Sequence, residues 1–176
     1  MFVDRLLARK SQKSMARRLH DEAVAQGRQL TLYMQMGAPD TVEGRFEILT
    51  LHVILLIDRL KGDVRQAAAL SQALFDVYVS DLDGALREMS VGDLAVGKRM
   101  KKLGEAFYGR ARAYDAAFQA LPDLAMLRDV VARTILDGMA CADPQPLAIY
   151  IARRREGLAA CETASLLEGR AGWPAP

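Results

Sequence analysis

The chain has 176 residues, of which 51% are apolar and 26% are charged, and its formal net charge is +2. This size and composition are typical of one soluble globular domain with a sizeable core, and the small net charge gives no indication of a nucleic-acid partner. The two cysteines, Cys141 and Cys161, are far apart in the sequence, which excludes a disulfide framework and favours reduced thiols in the cytosol.

The first 18 residues form a basic arm ahead of the domain. This segment contains one acidic residue, Asp4, and six basic ones: Arg5, Arg9, Lys10, Lys13, Arg17 and Arg18. If the arm is helical, it can lie with these cations on an anionic membrane surface or on the ribosome. A frayed and solvated arm is the alternative, because chain ends are often loose. No signal peptide is visible.

Two helices are expected before residue 61. The first runs from Leu19 to about Met36, with Leu19, Ala23, Leu30 and Met34 as its inner positions. The second follows an N-cap at Asp40 or Thr41 and is apolar nearly all round. It is too short to cross a bilayer, which takes about 20 apolar residues, so it belongs at the centre of the fold. His52 lies within it and is expected to be a hydrogen-bonded core histidine.

The stretch from 72 to 114 predicts two long helices joined at residues 90–92. At 100° per residue, the second helix has one apolar stripe, and its lysines point away from it. The stripe comprises Val96, Met100, Leu103, Phe107, Ala111, Tyr114, Phe118 and Leu121. The opposite face carries Lys98, Lys101, Lys102, Glu105 and Arg112. Such a division is typical of a helix that lies between core and water.

Two features of this helix pair are less common. Gly97 and Gly104 lie on one flank, and each costs about 1 kcal/mol relative to Ala, which indicates that a neighbouring helix or a bound partner approaches closely. On the first helix, Asp81 shares the apolar stripe. A carboxylate on a packing face needs a partner, and Arg99 or Arg110 across the hairpin is the expected one.

The remaining chain predicts two more helices and a tail. One begins at Pro122-Asp123 and runs from Leu124 to about Ala140, and the last one begins at Asp143-Pro144. Residues 168–176 are rich in Gly, Ala and Pro, and we expect a loose tail there. The prediction is an all-α, single compact bundle of about six helices over residues 19–167, with one central apolar helix.

No pattern in the sequence indicates catalysis. A phosphate-binding loop, a nucleophile elbow and a metal-binding helix motif are all missing from it. The two histidines and two cysteines do not have the spacing of a zinc site. We therefore predict no enzyme, no metal and no cofactor.

Several short motifs, in order and spacing, resemble the ubiquinol–cytochrome c chaperone family. The resemblance covers about Ala25 to Arg153. It rests on G-R-F at 44–46, L-H at 51–52, F-D at 75–76, D-L-D at 81–83, L-R-E at 86–88, V-G-D at 91–93, V-G-K-R-M-K at 96–101, F-Y-G-R at 107–110 and A-Y-D at 113–115. It implies an all-helical protein that holds newly made cytochrome b, or another early subunit, during assembly of ubiquinol–cytochrome c reductase, without catalysis.

The residues expected to contact this client adjoin on the second long helix: Gly97, Lys98, Lys101, Lys102, Gly104, Tyr108, Arg110 and Arg112. Tyr and Arg are the residue types that most often anchor interfaces. The expected location is the cytoplasm, either free or peripheral on the inner face of the membrane. Two other functions stay open: a helical carrier of a small apolar ligand such as haem, quinone or lipid, and a membrane-surface scaffold.

Overall fold

The computed structural model describes residues 2–61, 65–88 and 93–173, and these ranges contain helices and no strand. Eight helices lie in the described part of the chain, which confirms the predicted all-α class. They are α1 (Phe2–Gly27), α2 (Leu30–Met34), α3 (Val42–Leu60), α4 (Arg65–Glu88), α5 (Asp93–Gln119), α6 (Ala125–Arg133), α7 (Gln145–Ala159) and α8 (Thr163–Leu167). Two of them, α2 and α8, have only five residues each.

Helix α3 is the centre of the bundle, as its apolar sequence predicts. It begins after Thr41, whose hydroxyl accepts a hydrogen bond from the backbone N–H of Gly44, and it packs against α1, α4, α5 and α7. His52 is fully buried on it. Its Nδ1 lies 2.7 Å from the Ile48 carbonyl oxygen, so this nitrogen is the donor, and Nε2 accepts from the Tyr150 hydroxyl at 2.9 Å. The predicted core histidine is confirmed.

Helices α1 and α2 differ from the single helix expected from Leu19 to Met36. Helix α1 includes the basic arm and ends at Gly27, and its residues Ala16, Leu19 and Ala23 are fully buried. The chain then turns before α2, so Leu30 and Met34 are 76% and 80% exposed. Their predicted inner positions were wrong, because the helical phase does not continue across the turn at Arg28 and Gln29.

Helices α4 and α5 are the predicted long pair, and the joint at 89–92 lies outside the described residues. Leu70, Leu74 and Val77 are buried on α4. On α5, Val96, Phe107, Tyr114 and Phe118 are buried, whereas the side chains of the predicted opposite face are exposed. The period of the hydrophobic residues therefore predicts correctly which face of each helix is buried.

The C-terminal residues pack more closely than the sequence predicts. Helix α6 ends at Arg133, and turns rather than helix cover 134–140. Ala171 is fully buried, and its N–H donates to the Glu22 carboxylate at 3.0 Å. The Trp173 ring lies 5.6 Å from the His52 ring. The expected loose tail is therefore docked through Trp173, because it covers apolar surface beside α3; residues 174–176 lie outside the described residues.

Candidate functional site

The outer face of α5 is defined here by Gly97, Lys101, Gly104, Tyr108 and Arg112, which lie within about 80° of one another on the helix. Tyr108 is 57% exposed, and its ring lies 5.6 Å from that of Phe75. An ideal Cβ built on either glycine would meet no described atom within 4 Å. Close packing of a neighbouring helix, one of the two explanations offered for these glycines, is therefore wrong within the described structure.

The predicted client set does not lie on one surface. Gly97, Lys98, Lys101, Gly104, Tyr108 and Arg112 lie on or beside the outer face. Lys102 and Arg110 instead line a cleft on the other side of α5, together with Arg99. The reason is geometric: Arg110 is two residues from Tyr108 and so points about 160° away from it.

This interhelical cleft lies between α1, α3, α4 and α5 and has a volume of about 740 Å³. Its apolar wall is formed by Val24, Phe46, Leu49, Leu82, Leu86 and Leu103. Its basic side chains are Arg28, Arg45, Arg99, Lys102 and Arg110, and its acids are Glu43, Glu47 and Asp81. The cleft combines a large apolar wall with an excess of positive charge, which is a common arrangement in sites for small ligands.

A buried ion pair closes the inner end of the cleft. The Arg110 guanidinium donates two hydrogen bonds to the Glu47 carboxylate of α3, and the two side chains are 23% and 10% exposed. The carboxylate raises the pKa of Arg110 further above its usual range, chiefly through these hydrogen bonds. Arg110 thus ties α5 to the central helix and is not the partner of Asp81.

Asp81 pairs with Arg17 of α1, which corrects its expected pairing with Arg99 or Arg110. The Arg17 Nη1 and Nη2 atoms donate to the two carboxylate oxygens at 2.5 and 2.8 Å. These hydrogen bonds lower the pKa of Asp81. The prediction failed because α1 packs along α4 and reaches Asp81. Arg99 lies exposed on the cleft.

We expect Asp81→Ala to lower the free energy of unfolding by about 1 kcal/mol, because the pair is partly exposed and water screens it. Arg17→Ala should have a similar effect. Asp83→Ala is the matched control: Asp83 pairs with Arg87 one turn away on the same helix, whereas Asp81 joins α4 to α1, so the loss of this i,i+4 pair should change stability by less than about 0.5 kcal/mol. Urea unfolding measures all three variants, and equal losses from Asp81→Ala and Asp83→Ala would contradict the pairing.

His20 is a buried polar group with no hydrogen-bond partner among the described residues. Its side chain is 1% exposed and lines the cleft, and its Nδ1 lies 3.4 Å from an Asp81 oxygen. Burial lowers the pKa of His20, although the nearby Asp81 carboxylate opposes this effect. Sequence patterns do not predict the surroundings of this histidine, because they depend on how α1 meets α4.

The proposed membrane-facing cations are only partly described. Lys10, Lys13 and Arg17 line a groove between α1 and α4, and Arg18 is exposed. Arg17 forms an ion pair with Asp81 and is therefore not available to contact a membrane surface. The side chains of Arg5 and Arg9 lie outside the described residues.

Among residues 2–61, 65–88 and 93–173, no helix is long and apolar enough to span a membrane. Within that part of the chain, no three His, Cys, Asp or Glu side chains are grouped so that they could hold a metal ion.

Comparison with known proteins identifies the family. The model of the family "Ubiquinol-cytochrome C chaperone" matches residues 34–173, which include α3 to α8. Among solved structures, the crystal structure of the Cbp3 homolog from Brucella abortus is similar, with a TM-score of 0.85 and 34% sequence identity over 99% of this chain and 97% of that one. No curated protein matches the chain. The chain therefore belongs to the ubiquinol–cytochrome c chaperone family.

Proposed function

We propose that this protein is an assembly chaperone that binds newly made cytochrome b, by protein–protein contact and without catalysis, while ubiquinol–cytochrome c reductase is assembled. Membership of the family supports the chaperone role, and the family match includes the whole of α5. The choice of cytochrome b as client comes from the family resemblance of the sequence.

The outer face of α5 is the surface that we propose for the client. The observation that carries this placement is that no described atom lies within 4 Å of a Cβ built on Gly97 or Gly104, next to the exposed ring of Tyr108. Glycine is costly within a helix, and no neighbouring described helix explains the two residues. Membrane helices use small residues to bring two backbones close together, so a helix of cytochrome b could pack closely here.

The basic residues around this face have a secondary role in the proposal. Lys98, Lys101 and Arg112 are exposed and would contact acidic groups of the client or lipid phosphates at the edge of the interface. Rim charges of this kind alter association rates and salt dependence more than affinity. Tyr108 is the proposed anchor, because aromatic residues at the centre of an interface contribute most of its energy.

Replacing the glycines should separate binding from stability. We expect Gly97→Gln with Gly104→Gln to raise the free energy of unfolding, by up to about 1 kcal/mol per site, because Gln is a better helix former and open space receives it. The same double variant should lose co-purification of cytochrome b, because the added side chains hold a partner helix away.

Gly109 provides the matched control on the same helix. It also has open space beside it but lies about 100° from Tyr108, so Gly109→Gln should stabilise the protein and leave capture intact. Tyr108→Ala should weaken capture by about 1–2 kcal/mol, and Met126→Ala, an exposed apolar side chain on α6, should not. Full capture by the double glycine variant would place the client elsewhere.

The second part of the proposal concerns location. We propose a cytoplasmic protein that associates peripherally with the inner face of the membrane through the cations of α1. Lys10, Lys13 and Arg18 support this, since they are exposed on a helix that continues the basic N-terminal segment. Flotation with anionic liposomes tests it, and a charge-reversing change at these three residues should abolish flotation.

A further inference from the structure

The interhelical cleft is separate from the proposed client surface, because it lies on the opposite side of α5. Its volume of about 740 Å³ is within the range of roughly 300–1,000 Å³ that small-ligand sites occupy. A membrane-spanning helix is about 30 Å long and 10 Å wide, or roughly 2,400 Å³, and could not be enclosed there. The cleft is therefore large enough to hold a small molecule and too small to enclose a complete helix.

The positive charge of the cleft limits which molecule it fits. Arg45 is paired with Asp40, and Arg110 is paired with Glu47. Arg28, Arg99 and Lys102 are exposed at the cleft and form no ion pair with another described residue. They suit a carboxylate or a phosphate.

His20 adds a polar group to the lining. Its buried ring lines the cleft, its Nδ1 lies 3.4 Å from an Asp81 oxygen, and neither ring nitrogen forms a hydrogen bond with a described residue. The surrounding wall remains mainly apolar, and such a wall favours a hydrocarbon body.

We infer that the interhelical cleft binds a single-chain anionic amphiphile, such as a long-chain fatty acid, with its acyl chain on the apolar wall and its anionic group against Arg99 and Lys102. The molecule would bind without any covalent step. This inference goes beyond client capture, because none of the outer-face residues takes part in it.

Calorimetric titration of the whole protein with oleate, below the concentration at which oleate forms micelles, tests the inference. We expect saturable binding of one oleate per chain, and binding of neutral oleyl alcohol that is at least about tenfold weaker. Arg99→Gln with Lys102→Gln should weaken oleate binding about tenfold. Lys98→Gln with Lys101→Gln removes the same charge from the same helix but outside the cleft, and it should leave oleate binding unchanged.

Filling the cleft provides a variant that does not depend on charge. Ala85 is exposed at the cleft, so Ala85→Trp should occupy the acyl site without disturbing the core, and thermal unfolding verifies the fold. Equal affinities for oleate and oleyl alcohol would overturn the inference. Equal effects on oleate binding of Arg99→Gln with Lys102→Gln and of Lys98→Gln with Lys101→Gln would overturn it as well. The inference would also be overturned if dissolved oleate does not bind, while phosphatidylglycerol vesicles or hemin bind in a way that depends on Arg99 and Lys102. Client capture is measured separately, so either proposal can fail without the other.

Discussion

Glu47→Ala should destabilise the protein by about 3–5 kcal/mol, the largest loss that we expect from a single polar substitution in this chain. The change leaves the Arg110 guanidinium largely buried, without the carboxylate that accepts two of its hydrogen bonds. Removing one member of a buried pair costs more than the pair contributes, because the remaining charge is desolvated and unpaired. Urea unfolding at pH 7 measures the loss.

Asp40→Ala is the matched control for Glu47→Ala. Asp40 pairs with Arg45 near the start of α3, but both side chains are 57% exposed, so the change should leave the free energy of unfolding nearly unchanged. Removing both buried charges, by Glu47→Leu with Arg110→Met, should recover most of the stability lost in Glu47→Ala. If Glu47→Ala is as mild as Asp40→Ala, the Arg110 pair does not hold α5 to α3.

The second large effect concerns His52 and pH. Complete burial lowers its pKa to about 4, from the value of 6.5 that an exposed histidine has. Between these pH values the unfolded chain binds a proton at His52 that the folded chain does not. The free energy of unfolding therefore has its full value above pH 6.5 and falls as the pH is lowered towards 4. The full loss is about 3 kcal/mol, at 1.36 kcal/mol per pKa unit.

A variant without an ionisable group at this position isolates the contribution of His52. In His52→Phe, the free energy of unfolding should be lower at pH 7, because Tyr150 and the Ile48 carbonyl lose their partner, but it should change much less between pH 6.5 and 4.5. His20→Gln should retain most of the wild-type dependence over this interval. A wild-type dependence that persists in His52→Phe would show that other groups cause it.

The fold could be predicted largely from hydrophobic period and capping residues. The central position of α3 follows from an apolar run that no amphipathic surface helix would have, and Thr41 marks its beginning. The α1–α2 region was less predictable. Leu30 and Met34 are four positions apart, and this spacing occurs in a short exposed helix as well as in a core stripe. Leu30 and Met34 have the correct spacing for a core stripe, yet the turn at residue 28 rotates them into solvent.

The ion pairs show where sequence reasoning needs tertiary information. The rule that a carboxylate on a packing face requires a partner was applied to Asp81, but it applies with more force to Glu47, which lies in the most apolar helix of the chain. The sequence contained that signal. Which arginine reaches which acid depends on the way α1, α3 and α5 meet, and helical period does not determine it.

The candidate surfaces were predictable to different degrees. The exposure of Tyr108 and of the lysines follows from the helical wheel of α5. The cleft does not, because its wall combines side chains from four helices, and Arg28 has no pattern that distinguishes it in the sequence. Arg110 was expected to support the client surface from its edge, but it points about 160° away from Tyr108 and pairs with Glu47. Lys102 lines the cleft as well.

Deletion of the gene, followed by measurement of cytochrome b and of ubiquinol–cytochrome c reductase in the membranes, tests the proposed function most directly. We expect the b-type absorbance of the reductase and its activity to be lost, and newly made cytochrome b to be degraded, with recovery on expression of the wild-type protein. The variant Gly97→Gln with Gly104→Gln should fold but fail to restore assembly, whereas Gly109→Gln should restore it. Normal cytochrome b and a fully assembled reductase in the deletion strain would contradict the chaperone function.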